Sequence, residues 1–159
     1  MQRLVVTMLS VGILLATAPP TIAADQLPPE VTEKSVLMTP ERAAWIPCGR
    51  EWEGLPPGCE YAVLRGDLTQ PGAAVFFRVP ASARFPRFWH PTSENGLVIQ
   101  GQLIRQTEDG KEVVITPGTY WFIPAGMIHG GSRCWDDGPC LIWESYDKPF
   151  DVIVVKEPS

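Results

Sequence analysis

Beyond its first two dozen residues the sequence lacks any apolar run of the roughly 20 residues that a bilayer span requires. It also lacks a concentrated basic patch. Its 13 Lys and Arg stand against 18 Asp and Glu, for a formal net charge of -5. That balance argues against a surface for nucleic acid or anionic membrane. Signals for helices are close to absent. Histidine is scarce: of 159 residues only His90 and His129 carry an imidazole. Cysteine is limited to Cys48, Cys59, Cys134 and Cys140. Neither neighbouring pair has the gap of about two to four residues common in structural zinc sites, so a zinc cluster is not expected.

What is present begins with a leader. Met1-Gln2-Arg3 carries a positive charge, Leu4 to Ala18 is apolar, and Thr21-Ile22-Ala23-Ala24 offers small residues for cleavage. Residues 1–24 are therefore expected to be an export signal, cut after Ala23 or Ala24. An anchor is the rival, but Thr7, Ser10, Gly12 and Pro19-Pro20 interrupt the run. The mature protein is expected to be periplasmic or secreted, soluble and not membrane-spanning. Arg3 is the only charge in the leader, so the remainder is slightly more acidic than the whole. Roughly 135 residues remain, enough for one compact domain.

Residues 25–59 read as an extended N-terminal arm followed by a disulfide loop. Pro28-Pro29 and Pro40 break any regular period in the arm, although Val36-Leu37-Met38 could add an edge strand. In an exported chain four cysteines suggest two disulfides in one of three connectivities. The local pairing Cys48 with Cys59 and Cys134 with Cys140 is preferred, because the intervening Pro and Gly residues favour tight returns.

From residue 60 to 159 the chain alternates short β-type segments with turn residues, the pattern of an all-β sandwich or barrel. The expected strands are Tyr61 to Arg65, Ala73 to Val79, Gly96 to Arg105, Glu112 to Ile115, a short buried one at 119 to 123, Cys140 to Tyr146 and Phe150 to Lys156. Asp109-Gly110 marks a hairpin turn. Such a set closes most simply as a jelly roll.

The most informative stretch is Arg87-Phe88-Trp89-His90-Pro91-Thr92-Ser93-Glu94. Residues four apart in an extended strand are separated by roughly 13 Å, too far to share one ion. If His90 and Glu94 cooperate, the chain turns at Pro91-Thr92-Ser93, with His90 ending one strand and Glu94 beginning the next. A neutral nitrogen ligand and an anionic oxygen ligand suit Mn, Fe, Ni or Zn. A third ligand can come only from His129, presented after the bend at Pro124 and Gly126. His90, Glu94 and His129 would form a facial triad with open coordination positions.

Both stretches resemble the paired motifs of the cupin superfamily. His90, Glu94 and Gly101 match the second histidine, the glutamate and the glycine of the first motif, and Gly118, Pro124, Gly126 and His129 match all of the second. The resemblance covers roughly residues 60 to 156. It departs at Phe88, which stands where the family has the first histidine of a pair. Within the superfamily the chain is most similar to exported single-domain proteins. The resemblance implies a jelly-roll barrel holding a divalent metal, and functions that include dioxygenases, isomerases, decarboxylases and non-enzymatic binders.

Side-chain alternation places Phe88 and His90 on one face and Trp89 on the other. Phe88 would then either wall the site with apolar surface or fill a cavity that no longer holds a metal. Tyr120, Trp121, Phe122 and Trp143 are candidates for lining the pocket, although strand aromatics are commonly core. Arg78 is a candidate inward anchor for an anion, with a solvated strand face as the commoner role. Three functions follow: a metal-dependent oxidation or isomerisation of a small oxygenated substrate; a binding module for a small ligand, a carbohydrate or a metal without turnover; or a structural subunit of an envelope assembly. An exposed β edge makes a homodimer plausible.

Overall fold

The computed structural model describes residues 34–49, 52, 54–107 and 109–156. The chain divides into Met1–Ser35 and Val36–Ser159, and the described residues fall almost wholly in the second unit. The expected export signal and residues 25–33 of the arm lie outside them. Among the described residues the one helical element is a 3-10 turn at Pro40–Arg42, and no helix is long and apolar enough to cross a membrane.

Twelve strands make up the rest. They are β1 (Ile46–Pro47), β2 (Glu60–Arg65), β3 (Ala74–Val79), β4 (Arg87–Trp89), β5 (Glu94–Gln100) and β6 (Leu103–Gln106). There follow β7 (Glu112–Ile115), β8 (Tyr120–Ile123), β9 (His129–Gly130), β10 (Arg133–Cys134), β11 (Cys140–Tyr146) and β12 (Ile153–Val154). All pairings are antiparallel, in a six-stranded sheet ordered β1-β2-β3-β11-β5-β8 and two three-stranded sheets, β10-β6-β7 and β12-β4-β9. The three sheets share one core: Val75 and Phe77 of β3, Phe88 of β4, Val98 of β5, Leu103 of β6, Ile115 of β7 and Ile142 of β11 pack together. Filling of a single interior from every sheet is what a closed jelly-roll barrel requires. Val75, Val79 and Val98 are at most 1% exposed, and burial of such a side chain contributes about 1.5 to 3 kcal/mol.

The strand pattern departs from expectation at four places. The segment Gly96 to Arg105 is two strands, because Gly101 takes a left-handed φ of 78° and lets the chain cross from the large sheet to a small one. A Cβ at Gly101 would sit 2.7 Å from the carbonyl oxygen of Pro139, so only glycine fits. Strand β8 is an edge and not a buried strand: Tyr120 and Phe122 face outward, 59% and 55% exposed. Of Phe150 to Lys156 only Ile153–Val154 pairs, against β4. Val36, Leu37 and Met38 are exposed and outside any strand, and the sheet edge is taken by β1.

Both disulfides form in the local pairing, Cys48–Cys59 and Cys134–Cys140. The second ties β10 to β11. The first draws the loop after β1 against the start of β2 and brings Leu55 into the wall of the interior cavity.

Candidate metal centre

Strand β4 ends at Trp89 and β5 begins at Glu94, so the turn between them brings His90 and Glu94 together as the spacing predicts. Pro91-Thr92-Ser93 is held by a clip to the end of β11. The buried Thr92 hydroxyl donates to Asp147 Oδ1 at 2.6 Å and accepts from the Lys148 amide at 2.9 Å, while the Ser93 amide donates to the same Asp147 oxygen at 2.8 Å. His129 arrives from the far side. It opens β9, directly opposite Phe88 in register.

Two backbone carbonyls define the chemistry of the imidazoles. His90 Nδ1 lies 2.5 Å from the carbonyl oxygen of Asp151, and His129 Nδ1 lies 2.8 Å from that of Met127. A carbonyl can only accept, so each Nδ1 carries the proton and each neutral ring keeps its lone pair on Nε2. Both Nε2 atoms face the same oxygen, Glu94 Oε2, at 3.3 and 3.4 Å. All three side chains are nearly sealed from solvent, at 4 to 6% exposed.

The other Glu94 oxygen, Oε1, accepts a hydrogen bond from the Trp121 indole. That contact depends on Gly96. Trp121 and Glu144 lie on either side of Gly96 in adjacent strands, and a Cβ at Gly96 would collide with the Trp121 ring. The missing side chain lets the indole lie across β5 and reach the carboxylate two residues away.

Burial would raise the Glu94 carboxyl, but hydrogen bonding and charge from His129 and then His90, when their Nε2 atoms carry protons, outweigh burial and bring it down to about 2, and a metal cation in place of those protons would hold it ionised in the same way. The carboxylate is thus anionic at neutral pH. Three lone-pair-bearing atoms, two neutral nitrogens and one anionic oxygen, converge within 4.8 Å of one another. His129 Nε2 is buried and makes no hydrogen bond. The separations exceed the roughly 2.7 to 2.9 Å of a charge-assisted N–H···O bond. Ligands about 2.1 Å from one divalent ion, at right or tetrahedral angles to each other, would lie about 3.0 to 3.4 Å apart. The donor set and its spacing fit such an ion, and carbonyl-anchored Nδ1–H groups are what orient metal-binding histidines.

Phe88 packs against both rings, 4.6 Å from His129 and 5.1 Å from His90 between centroids, so it walls the site as alternation implies. Phe150 covers His90 from another side at 4.9 Å. The cavity beyond is small, with a volume of about 70 Å³.

A family model described as the cupin domain matches residues 75–145, which span β3 through most of β11 and contain all three convergent side chains. Over these residues the chain is a cupin domain. Its cupin fold is similar to that of the polyketide cyclase RemF from Streptomyces resistomycificus, with 17% identity, a TM-score of 0.64, and coverage of 79% of this chain and 89% of that one. It is also similar to an acetylacetone dioxygenase from Acinetobacter johnsonii, at 15% identity and a TM-score of 0.58, covering 81% and 82%. An RmlC-like cupin from Shewanella frigidimarina gives 18% identity, a TM-score of 0.54 and coverage of 75% and 95%. Comparison with curated protein sequences finds no match.

Of the aromatic candidates for the cupin pocket, Trp121 lines the cavity and Tyr120, Phe122 and Trp143 do not. Arg78 faces outward, paired with Glu60 at 3.2 Å and stacked on Trp45 at 3.9 Å. Three polar residues that the sequence reading did not single out line the cavity: Arg105 on β6, Ser132, and Glu144 on β11. The Glu144 carboxyl is raised well above its usual range by burial and then by the charge of Glu94, and it accepts a hydrogen bond from Tyr146.

Proposed function

We propose that His90, Glu94 and His129 hold a divalent ion, one of Mn, Fe, Ni or Zn, and that the cavity serves metal-dependent oxidation or isomerisation of a small oxygenated substrate. The observation that carries this reading is the pair of Nδ1–H···O=C bonds, which leave both Nε2 lone pairs directed at one carboxylate oxygen. A site built that way is electrostatically complete only with a cation in it. Bound there, the ion would supply Lewis acidity and open coordination positions. The chain supplies the rest. Trp121 fixes the carboxylate, and Phe88 and Phe150 exclude water from the imidazoles. Glu144, whose carboxyl burial and then the charge of Glu94 raise well above the usual range, stands in the cavity outside the ligand set as the candidate general acid. Fold neighbours that include a cyclase and a dioxygenase support an architecture able to host such chemistry, not the reaction itself.

The second reading is a binding module without turnover, for a metal, a carbohydrate or another small ligand. Phe88 favours it, since it occupies with an apolar ring a position where a further ligand would strengthen the centre. We further propose that residues 1–24 are a cleaved export signal and that the domain works in the periplasm or outside the cell; two disulfides support an oxidising compartment.

The test is thermal unfolding of chelator-dialysed protein with each of the four ions added in turn. An ion bound only by the folded state raises the midpoint. At least one should do so for the wild type and fail to do so for Glu94→Gln. If no ion shifts the wild type, or if the variant shifts equally, the metal reading is wrong. Turnover by the loaded wild type that Glu94→Gln abolishes would separate enzyme from binder.

A further inference from the structure

Strand β6 changes character along its inward face. Leu103, 6% exposed, belongs to the core, and two residues further on Arg105 occupies the same face and lines the same cavity. The cavity wall is otherwise dominated by apolar side chains such as Phe77, Phe85, Ile115 and Ile142. Apart from the three convergent ligands, its polar side chains are Arg105, Glu144 and Ser132. An arginine so placed is usually matched by a carboxylate, as Arg78 is by Glu60 and Arg133 is by Glu112. Among the described residues Arg105 has no carboxylate at ion-pair distance. Glu144 lines the same cavity and feels the guanidinium charge without an ion-pair contact, while burial and then the charge of Glu94 raise its carboxyl well above the usual range.

Arg105 also stands at the way in. It and His129 line both the cavity and a shallower surface cleft bounded by Gln106, Thr107, Met127, Ile128 and Asp109, whose carboxylate is already paired with Lys111 at 2.6 Å. The guanidinium and the His129 imidazole thus share the boundary between cleft and cavity. A guanidinium offers a planar fork of donors that matches a carboxylate in two parallel bonds. A lining with a cation near the mouth and apolar walls within suits a ligand that is anionic at one end and apolar at the other.

We infer that the cavity takes small organic acids, with the ligand's carboxylate held by Arg105 and its apolar body lying between Phe85, Phe77 and Ile142 toward His90 and His129. This rests on the proposed function only in taking the metal end of the cavity as the reacting end. Arg105 binds the ligand and does not ligate the ion.

The experiment uses the full-length folded protein, with metal content measured on every sample. Benzoate and pyruvate are compared with benzamide and pyruvamide, their uncharged isosteres, by isothermal titration and by thermal shift. Wild type should bind at least one acid and bind its amide at least tenfold more weakly. Arg105→Gln should lose at least tenfold in affinity for the acid while its metal content is unchanged, and Arg105→Lys, which keeps the charge without the fork, should fall between. Equal binding of acid and amide, binding of the acid that is indifferent to Arg105, or no binding of either acid at millimolar concentration would each overturn the inference. A carboxylate that simply coordinated the ion would give the second of these. Arg105-dependent binding in protein that holds no metal would instead sustain this inference and sink the metal reading.

Discussion

Trp121 holds the carboxylate that the two imidazoles face. Its indole N–H donates to Glu94 Oε1, which leaves Oε2 to point at both Nε2 atoms. Trp121→Phe would keep the ring's bulk over Gly96 and remove only the donor. Partners of this kind typically contribute 10- to 100-fold to metal affinity. The expected result is therefore a loss of about one to two orders of magnitude in affinity for the bound ion, read by competition with a chromophoric chelator, with little change in the fold. Unchanged affinity would mean that packing alone orients Glu94. At this scale the convergence of the three side chains was legible in the sequence, because a chain with two histidines leaves few combinations and the turn at Pro91-Thr92-Ser93 brings Glu94 to one of them. The groups that orient them were not. The carbonyls of Asp151 and Met127 are backbone atoms that any residue could offer, and the part of Trp121 depends on which face of β8 turns inward.

Strands and turns carry the site through the clip between Thr92 and Asp147, which joins the β4–β5 turn to the end of β11. Asp147 is lowered from its ordinary 3.8 by its bonds from the Thr92 hydroxyl and the Ser93 amide. A carboxyl whose folded-state value is depressed stabilises the fold above its unfolded value, and the contribution is lost as pH falls through the folded value. Wild type should therefore melt above Asp147→Asn at pH 6, and the gap should close as the pH drops below 3.8. A gap that stays constant to pH 2 would show that the charge is immaterial. The disulfide Cys134–Cys140 acts on the same elements by closing a short loop between β10 and β11. Its removal by a double Ala substitution should cost about 2 to 3 kcal/mol in denaturant unfolding. The strands β7 and β11 were readable residue for residue from their periodicity. The break at Gly101 was not, since an isolated glycine inside a strand pattern signals a bulge, a bend or nothing, and only the approach of Pro139 and Cys140 selects the bend.

On the scale of the whole molecule, three antiparallel sheets enclose one core, and one end of that core is left open as a cavity. The barrel was legible from turn spacing and strand count. The division into three sheets was not, because pairing partners such as β3 with β11 are set by contacts more than 60 residues apart that local periodicity does not encode. Closure is what converts two distant motifs into one site: β4 and β9 pair in a small sheet, β5 lies in the large one, and Glu94 meets both histidines only where those sheets face each other. The account's central claim is that this meeting point holds one divalent ion. Its most direct test is elemental analysis of protein purified without chelator, beside His90→Ala and His129→Ala. Close to one Mn, Fe, Ni or Zn per chain in the wild type, lost in both variants, is the predicted result. A wild type that carries no metal and takes up none on addition, or variants that keep it in full, would contradict the claim.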